Sequence, residues 1–213
     1  MARQARAEAT RGAIVQAAGL VFARTSYAAA TLTQVIAQAG VTQGSLYFHF
    51  DSKQDLALEV VRLQHERSIA VGMNFLAGDG PGLDALVELS SALAHQMKTD
   101  PIVTGGLRLT TESPELFPEY VKEPYTDWIS TGEALIRRAQ DDGDIALSLD
   151  AHSWAGVVIA CFTGVQVVSQ AMSRWDDLFP RLELMWHALL PSMVSGRRAG
   201  DVAELAALSR SKM

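Results

Sequence analysis

Residues 31–50 constrain the fold of this chain more than any other segment, because they contain two short helical patterns separated by a turn. Thr31 can cap a first helix, in which apolar residues recur three and four positions apart (LTQVIAQA). Gly40 follows where a left-handed residue can end that helix, and Thr42 can cap a second one. The pattern predicts a helix-turn-helix, a unit that places its second helix in the major groove of DNA. A helical hairpin inside a bundle is the alternative.

The second helix of this pair, QGSLYFHF, is predicted to turn polar and aromatic side chains outward. Leu46 and Phe50 lie four positions apart and can hold the helix on its support. Tyrosine and histidine can hydrogen-bond phosphates, and apolar side chains can contact the methyl group of thymine. Two outward aromatic residues beside a histidine favour DNA binding over the bundle alternative. The predicted DNA-contacting residues are Thr42, Gln43, Gly44, Ser45, Tyr47, Phe48, His49 and, at the start of the next helix, Lys53.

The segment TLTQVIAQAGVTQGSLYFHFDSK resembles the DNA-binding signature of TetR-type transcriptional repressors. The preceding RAEATRGAIVQAAGLVFARTSYAAAT resembles the first helix of that family. The opening MARQARAEATR and the form LYFHF are similar to one branch, the γ-butyrolactone receptors. Two residues depart from that branch at the DNA-facing edge: Gln43 stands where a lysine is frequent, and Ser45 where alanine is frequent.

The resemblance implies an all-α fold with two domains. Residues 1–53 would form a three-helix DNA-binding head, and residues 54–213 a helical bundle for ligand binding and dimerisation. The implied function is that of a ligand-responsive repressor in the cytoplasm. Its homodimer would bind a pseudo-palindromic, double-stranded DNA operator, and a small, mostly apolar signalling molecule of γ-butyrolactone type would release it. A multidrug or antibiotic-intermediate sensor is the alternative within the family, and a helical protein-binding adaptor is the alternative outside it.

The distribution of charge agrees with a DNA-binding head. The chain carries a formal net charge of −6, with 18 Lys and Arg against 24 Asp and Glu. Residues 1–55 hold five Lys and Arg and three Asp and Glu, whereas the remainder is strongly acidic. This asymmetry is expected where only one end of a protein meets phosphate.

Helical periodicity extends through almost the whole chain, and no strand pattern stands out. Besides the two short helices, the pattern predicts helices over residues 7–24, 53–76, 83–98, 101–112, 125–140, 151–172 and 176–194. The glycine-rich GDGPG marks a break, and the proline-rich residues 112–124 are predicted to form a loop or short turn. The tail after residue 195 contains one short helical stretch.

Several other classes of protein are not supported by the sequence. The five histidines form no HExxH motif, and neither a GxSxG elbow nor a phosphate-binding loop is present, so we expect no enzyme and no metal or other cofactor. The acidic DDGD lacks the spacing of a calcium-binding loop. We find no apolar run long enough for a membrane span and no export signal. The single cysteine, Cys161, is expected in the core.

The last two long helices predict a homodimer. Helix eight, residues 151–172, is apolar almost all the way round and must be covered on most sides. Helix nine, residues 176–194, shows one apolar stripe. In TetR-type repressors the last two large helices pair with their copies across a two-fold axis, which fits this excess of apolar surface. A monomer with a buried central helix is the alternative.

The effector site is predicted from the resemblance and from polar residues among apolar ones. Trp128 matches by context a tryptophan that lines the pocket of γ-butyrolactone receptors, although a core tryptophan fits the pattern equally. Gln64 can orient a lactone or ketone oxygen or face solvent. Thr163 can play a similar part or bond its own helix. The remaining predicted lining residues are Leu86, Leu89, Leu107, Val158 and Phe162.

Overall fold

The structure is a computed structural model that describes residues 2–210, except the side chains of residues 2, 3 and 119–121. The described residues form ten α-helices and no β-sheet, which confirms the all-α prediction. The helices are α1 (Ala2–Arg24), α2 (Leu32–Ala39), α3 (Gln43–His49), α4 (Lys53–Ala77), α5 (Gly82–Thr99), α6 (Pro101–Glu112), α7 (Glu119–Asp141), α8 (Ala151–Ser173), α9 (Leu178–Met193) and α10 (Val202–Leu208).

The two short helices begin and end through local hydrogen bonds that the sequence predicts. The hydroxyl of Thr31 accepts the backbone N–H of Gln34, and the Gln34 side chain accepts the N–H of Thr31 in return, which is a capping box. Gly40 ends α2 with φ at 65°. The hydroxyl of Thr42 accepts the N–H of Ser45 at 3.2 Å and caps α3. These caps fix the turn between the helices.

Two helix starts differ from the prediction. Helix α1 begins at Ala2 rather than residue 7, because the polar residues before Ala7 favour a helix as strongly as those after it. Helix α7 begins at Glu119 and contains Pro124, so the predicted loop narrows to the region of a short 3-10 turn, Pro114–Leu116. Pro124 removes only one backbone donor from a helix of 23 residues, which tolerates it near its first turns.

The chain divides into two compact units. The first contains Met1–Ser68 and Met97–Pro124, and the second contains Ile69–Gln96 and Tyr125–Met213. All three changes from one unit to the other fall inside helices, namely α4, α5 and α7. The predicted boundary at residue 53 between a DNA-binding domain and a ligand-binding domain stays a prediction, because compact units are defined by contacts and not by activity.

Within the first unit, α6 lies directly against α1 because both helices carry glycine at the contact. A methyl group on Gly105 would lie 2.7 Å from the backbone oxygen of Gly19, closer than such atoms approach. Gly19 in turn accommodates Ile102, which is fully buried. The Arg108 guanidinium donates to the carbonyl of Ala23, near the end of α1, at 3.0 Å. Helix α6 is therefore held to the first helix of the predicted DNA-binding head.

A buried carboxylate joins α1 to α4 in the same unit. Glu59 accepts hydrogen bonds from Arg62 at 2.9 Å and from Arg11 at 2.8 Å, and only 10% of its side chain is exposed. The bonds from Arg62, ahead of those from Arg11, lower the pKa of Glu59 to about 2. Because the charged form is stabilised by two cations, the ion pair contributes to folding at neutral pH.

In the second unit, α5 is the central helix and is buried on nearly every side. The indole N–H of the fully buried Trp186 on α9 donates to the hydroxyl of Ser90 on α5 at 2.8 Å. The DDGD segment serves a structural purpose here. The carboxylate of Asp144, only 1% exposed, accepts from Arg197 and Arg198, both at 2.9 Å. These bonds attach the segment after α9 to the α7–α8 connection.

The prediction that no apolar segment is long enough to cross a membrane is wrong for α8. Within the part of the chain that the structure describes, α8 is long and apolar enough to do so by length and composition. The prediction missed this helix because polar residues such as His152 and Gln166 interrupt its apolar run. None of its 23 residues is Asp, Glu, Lys or Arg, so its average composition is nevertheless apolar. Interior helices of helical bundles have the same composition, so this property is weak evidence of a membrane span.

We expect Gly105→Ala to destabilise the protein by about 1–3 kcal/mol, because the added methyl group must displace the backbone of α1. Gly12→Ala on α1 is the matched control. Gly12 is exposed and has no atom near the added group, so this change should stabilise the fold by about 1 kcal/mol. Urea unfolding measures both values. Equal effects of the two changes would contradict a close contact between α1 and α6.

We expect Glu59→Gln to lower the free energy of unfolding by roughly 2–3 kcal/mol at pH 7. The contribution of Glu59 is present above its unfolded pKa, near 4.5, and is lost as the pH falls towards about 2, its folded value. The gap between wild type and variant should therefore narrow from pH 5 to pH 3. Glu66→Gln is the control, because Glu66 pairs with Arg62 but is 54% exposed. An equal gap at both pH values would contradict this account.

Candidate nucleic-acid interface and effector-lining residues

Helix α3 is held by its apolar side and presents its other side to solvent. Leu46 is fully buried and Phe50 is 5% exposed, and both belong to the core of the first unit. Phe48 is 77% exposed and Tyr47 is 47% exposed. Of the other predicted DNA-contacting residues on this surface, Thr42, Gln43 and Gly44 are exposed, and Ser45 and His49 are half-buried.

The aromatic residues of α3 combine apolar surface with polar atoms. The ring of Phe48 stands edge-on to the ring of His49, with centroids 5.0 Å apart and planes at 83°. Phe48 has no polar side-chain atom, so it can make only apolar contacts with bases or sugars. Tyr47 and His49 carry a hydroxyl and ring nitrogens, which suit phosphate oxygens. Gln43, at the first position of α3, can bond a base edge or a phosphate.

Lys53 is the predicted residue whose surroundings differ most from the expectation. Its ammonium group donates to the carbonyls of Tyr27 at 2.8 Å and Ala30 at 3.0 Å, and lies 4.4 Å from the centre of the Tyr27 ring. Burial, and secondly the charge of Asp55, raise the pKa of Tyr27. An ammonium has three donors, so one donor of Lys53 remains for a phosphate. The sequence prediction did not include these hydrogen bonds, which hold the start of α4 to the connection between α1 and α2.

Helix α2 adds polar residues that the sequence prediction did not include. Thr33 and Gln38 are exposed, whereas Val35 of the same helix is buried. In helix-turn-helix proteins the first helix crosses the DNA backbone, which suits short polar side chains on its outer face. The signal was present in the sequence, because these positions are out of phase with the apolar residues that recur along LTQVIAQA.

Two of the predicted effector-lining residues lie in the first unit. Gln64 on α4 is only 7% exposed, so the alternative of a solvent-facing glutamine is wrong. Its amide donates to the hydroxyl of Ser68 at 3.5 Å. Gly106 on α6 makes room for it, since a methyl group there would lie 2.4 Å from the Cβ atom of Gln64. Leu107 is half-buried beside this glycine.

The other six predicted lining residues lie in the second unit. Trp128 is half-buried on α7, and its ring lies against α4 where Gly72 has no side chain. A methyl group on Gly72 would stand 3.1 Å from the ring. The α5 residues Leu86 and Leu89 are buried, as are Val158 and Phe162 on α8, while Thr163 is half-buried. These positions place the apolar residues of α5 and α8 in the interior and leave Trp128 partly exposed.

The titratable residues of the described segments do not assemble into a metal centre. No group of three or more His, Cys, Asp or Glu side chains is close enough to hold an ion there. Cys161, expected in the core, is half-buried on α8. Asp177 accepts from Ser169, Ser173 and Arg181, and the bonds from the two serines, before that from Arg181, lower its pKa to about 2. This carboxylate organises the α8–α9 turn.

Comparison with known families accounts for both ends of the chain. Residues 14–60 match the family described as "Bacterial regulatory proteins, tetR family". Residues 81–195 match a "Tetracyclin repressor-like, C-terminal domain", which covers more than half of the sequence. The first match contains the second half of α1, all of α2 and α3 and the start of α4, and the second contains all of α5 to α9.

Individual relatives agree with this assignment. The chain is 33% identical to the A-factor receptor protein of Streptomyces griseus over 193 residues, which are 91% of this chain and 67% of the relative. A solved γ-butyrolactone receptor, described as an ArpA-like protein, is 31% identical with a TM-score of 0.80, covering 97% of this chain and all of the other.

A third relative was solved together with DNA. It is CprB of Streptomyces coelicolor in complex with its biological operator sequence, and it is 32% identical with a TM-score of 0.74. The alignment covers 95% of this chain and 96% of the other. Regulators of this kind bind DNA operators and small-molecule effectors and act as dimers. The chain belongs to the tetR family of bacterial regulatory proteins and is a ligand-responsive DNA-binding repressor related to the γ-butyrolactone receptors.

Proposed function

We propose that this protein represses transcription as a homodimer that binds a pseudo-palindromic operator through α3, and that a γ-butyrolactone-type effector releases it. One observation carries the proposal most directly. The exposed side of α3 combines Gln43, Tyr47 and Phe48, while Leu46 and Phe50 fix the helix from behind. An isolated helix of seven residues would not be stable, so its exposed residues depend on that core for their position.

The proposed DNA contacts divide by chemistry. Six residues face phosphates, namely Thr42, Gly44, Ser45, Tyr47, His49 and Lys53. Gln43 and Phe48 contact base edges. Phosphate contacts position the helix and contribute a salt-dependent affinity, and base contacts select the sequence. A repressor of chromosomal genes acts in the cytoplasm, where the operator is.

The proposed dimer forms through α8 and α9. In the single chain, α8 leaves a stripe of apolar side chains exposed, and α9 exposes Leu184 to 70%. The apolar stripe of α9 instead packs inside the protomer, where Leu182 and Trp186 are fully buried. A second copy would cover the remaining surface, which contains Val157, Val167, Val168, Met172 and Leu184.

The proposed effector is small and mostly apolar, with a carbonyl group. The relatives whose names specify a ligand are receptors for A-factor and for γ-butyrolactone. In this chain the interior residues of α5 and α8 offer apolar surface, and Trp128 offers an aromatic face. The buried Gln64 offers an amide that can bond a carbonyl oxygen. A multidrug sensor is not favoured, because the A-factor receptor and the solved γ-butyrolactone receptor each match more than 90% of this chain.

Effector and operator are coupled through α4 in this proposal. Helix α4 begins in the first unit, next to α3 in sequence, and ends in the second unit, where Gly72 contacts Trp128. An effector that displaces Trp128 would move α4. The effector must bind the released shape more tightly than the DNA-bound shape. The factor by which the effector lowers operator affinity is then also the factor by which the operator lowers effector affinity.

The DNA-binding proposal is tested by gel shift with the upstream region of the protein's own gene. Wild type should shift this fragment at low salt, and a lack of any shift would contradict the proposal. Gln43→Lys should tighten binding about three- to tenfold, or change the preferred operator, because it adds a phosphate or guanine contact. Gln16→Lys is the control, since it adds the same charge at an exposed position of α1. If both substitutions act alike, Gln43 does not face DNA.

The effector proposal is tested by release of operator DNA with synthetic alkanoyl γ-butyrolactones and culture extracts. Trp128→Ala should abolish release while operator affinity stays within about twofold, because Trp128 does not contact DNA. Tyr125→Ala, an exposed aromatic residue one turn earlier on α7, should respond as wild type does. Loss of operator binding by Trp128→Ala would show a structural role instead. If no lactone releases operator DNA from the wild-type protein, this effector class is excluded.

A further inference from the structure

The end of α7 holds the end of α4 through one arginine. The Arg138 guanidinium donates to four backbone carbonyls, those of Phe75 at 3.1 Å, Leu76 at 2.9 Å, Gly78 at 2.6 Å and Gly80 at 3.2 Å. The last carbonyls of a helix have no partner within the helix, and a cation there also faces the negative end of the helix dipole. Arg138 therefore caps α4 from another helix.

The residue directly after α7 holds the start of α5. The carboxylate of Asp142 accepts the backbone N–H of Gly82, the first residue of α5, at 2.8 Å. Only glycine fits at this position, because a methyl group would lie 2.4 Å from the backbone nitrogen of Ala139. The last turn of α7 thus carries a cation for the end of α4, and the residue after it carries an anion for the start of α5. We call these two residues, Arg138 and Asp142, the α7 clasp.

All four acceptors of Arg138 are carbonyls, so its bonds fix backbone rather than side chains. The neighbouring Arg137 is different. It is exposed and donates to Glu133, one turn away on the same helix. A lysine in place of Arg138 could not reach four carbonyls, because its single ammonium group lacks the planar fork of the guanidinium. Arg138 is therefore suited to fix the end of α4 in a way that few side chains could.

We propose that Arg138 is a positioning residue that sets where the recognition helices stand by anchoring α4 on α7. The argument rests on the proposed function. Helix α4 carries the chain from the unit that contains α3 into the unit that contains the clasp, so the clasp holds α4 at the end remote from α3. In a dimer, loosening this end would let each recognition helix vary in position and would weaken the preference for one half-site spacing.

The test measures the affinity of the full-length protein for operators whose half-sites are moved apart or together by one and two base pairs. Two base pairs shift a half-site by about 7 Å along the duplex and rotate it, so a rigid dimer should lose about tenfold or more in affinity. Wild type and Arg137→Ala should both show this loss. Arg138→Ala should bind all spacings within about threefold of one another, and Arg138→Lys should fall between these results.

A purely structural cap gives a different result. It would lower the melting temperature and weaken binding to every operator by the same factor, with the spacing preference intact, and this result would overturn the proposal. If Arg138→Ala does not fold, Arg138→Lys and Asp142→Asn are measured in the same series, and a wild-type spacing preference in both would overturn it as well. Failure of the proposed function is seen separately, because wild type would then bind none of the operators and the inference would fall with it.

Discussion

The contact between Gly19 and Gly105 is the constraint on which the DNA-binding end depends. Two glycines let the backbones of α1 and α6 touch, because a methyl group on Gly105 would lie 2.7 Å from the backbone oxygen of Gly19. The contact makes α6 part of the same compact unit as α1, α2 and α3, although a gap of more than 50 residues separates α3 from α6 in sequence. The core behind α3 therefore contains residues from α6, such as Ile102 and Leu109.

That core determines how a helix of seven residues can present a defined surface. Leu46 and Phe50 enter it together with Phe22 of α1, and the caps at Thr42 and Gly40 complete the turn. The position of Tyr47 and Phe48 then follows from buried contacts on the other side of the helix. The ion pair of Glu59 with Arg11 links α4 to α1, and Arg62 supports that carboxylate from within α4. The surface that α3 presents is a property of the whole unit.

Local signals were readable from the sequence, and long-range pairings were not. Thr31, Gly40 and Thr42 act on residues up to four positions away, so the sequence shows them directly. Arg138 bonds carbonyls about 60 residues earlier in the chain, and no periodicity indicates such a partner.

Lys53 was predicted to contact phosphate alone, because the sequence does not show that the carbonyls of Tyr27 and Ala30 lie beside it. Their proximity depends on the packed fold. The start of α7 was missed because a proline usually marks a boundary, and here Pro124 lies inside the helix.

The inclusion of α6 in the first unit has a consequence for building hybrid regulators. A chimaera made by joining the first 53 residues of one repressor to the body of another would separate α1 from the α6 with which it has evolved. The contact at Gly19 and Gly105 would then depend on a foreign α6, whose residue at position 105 need not be glycine. Exchange of DNA specificity between such proteins should carry Met97–Pro124 along with the head, which requires three crossovers instead of one.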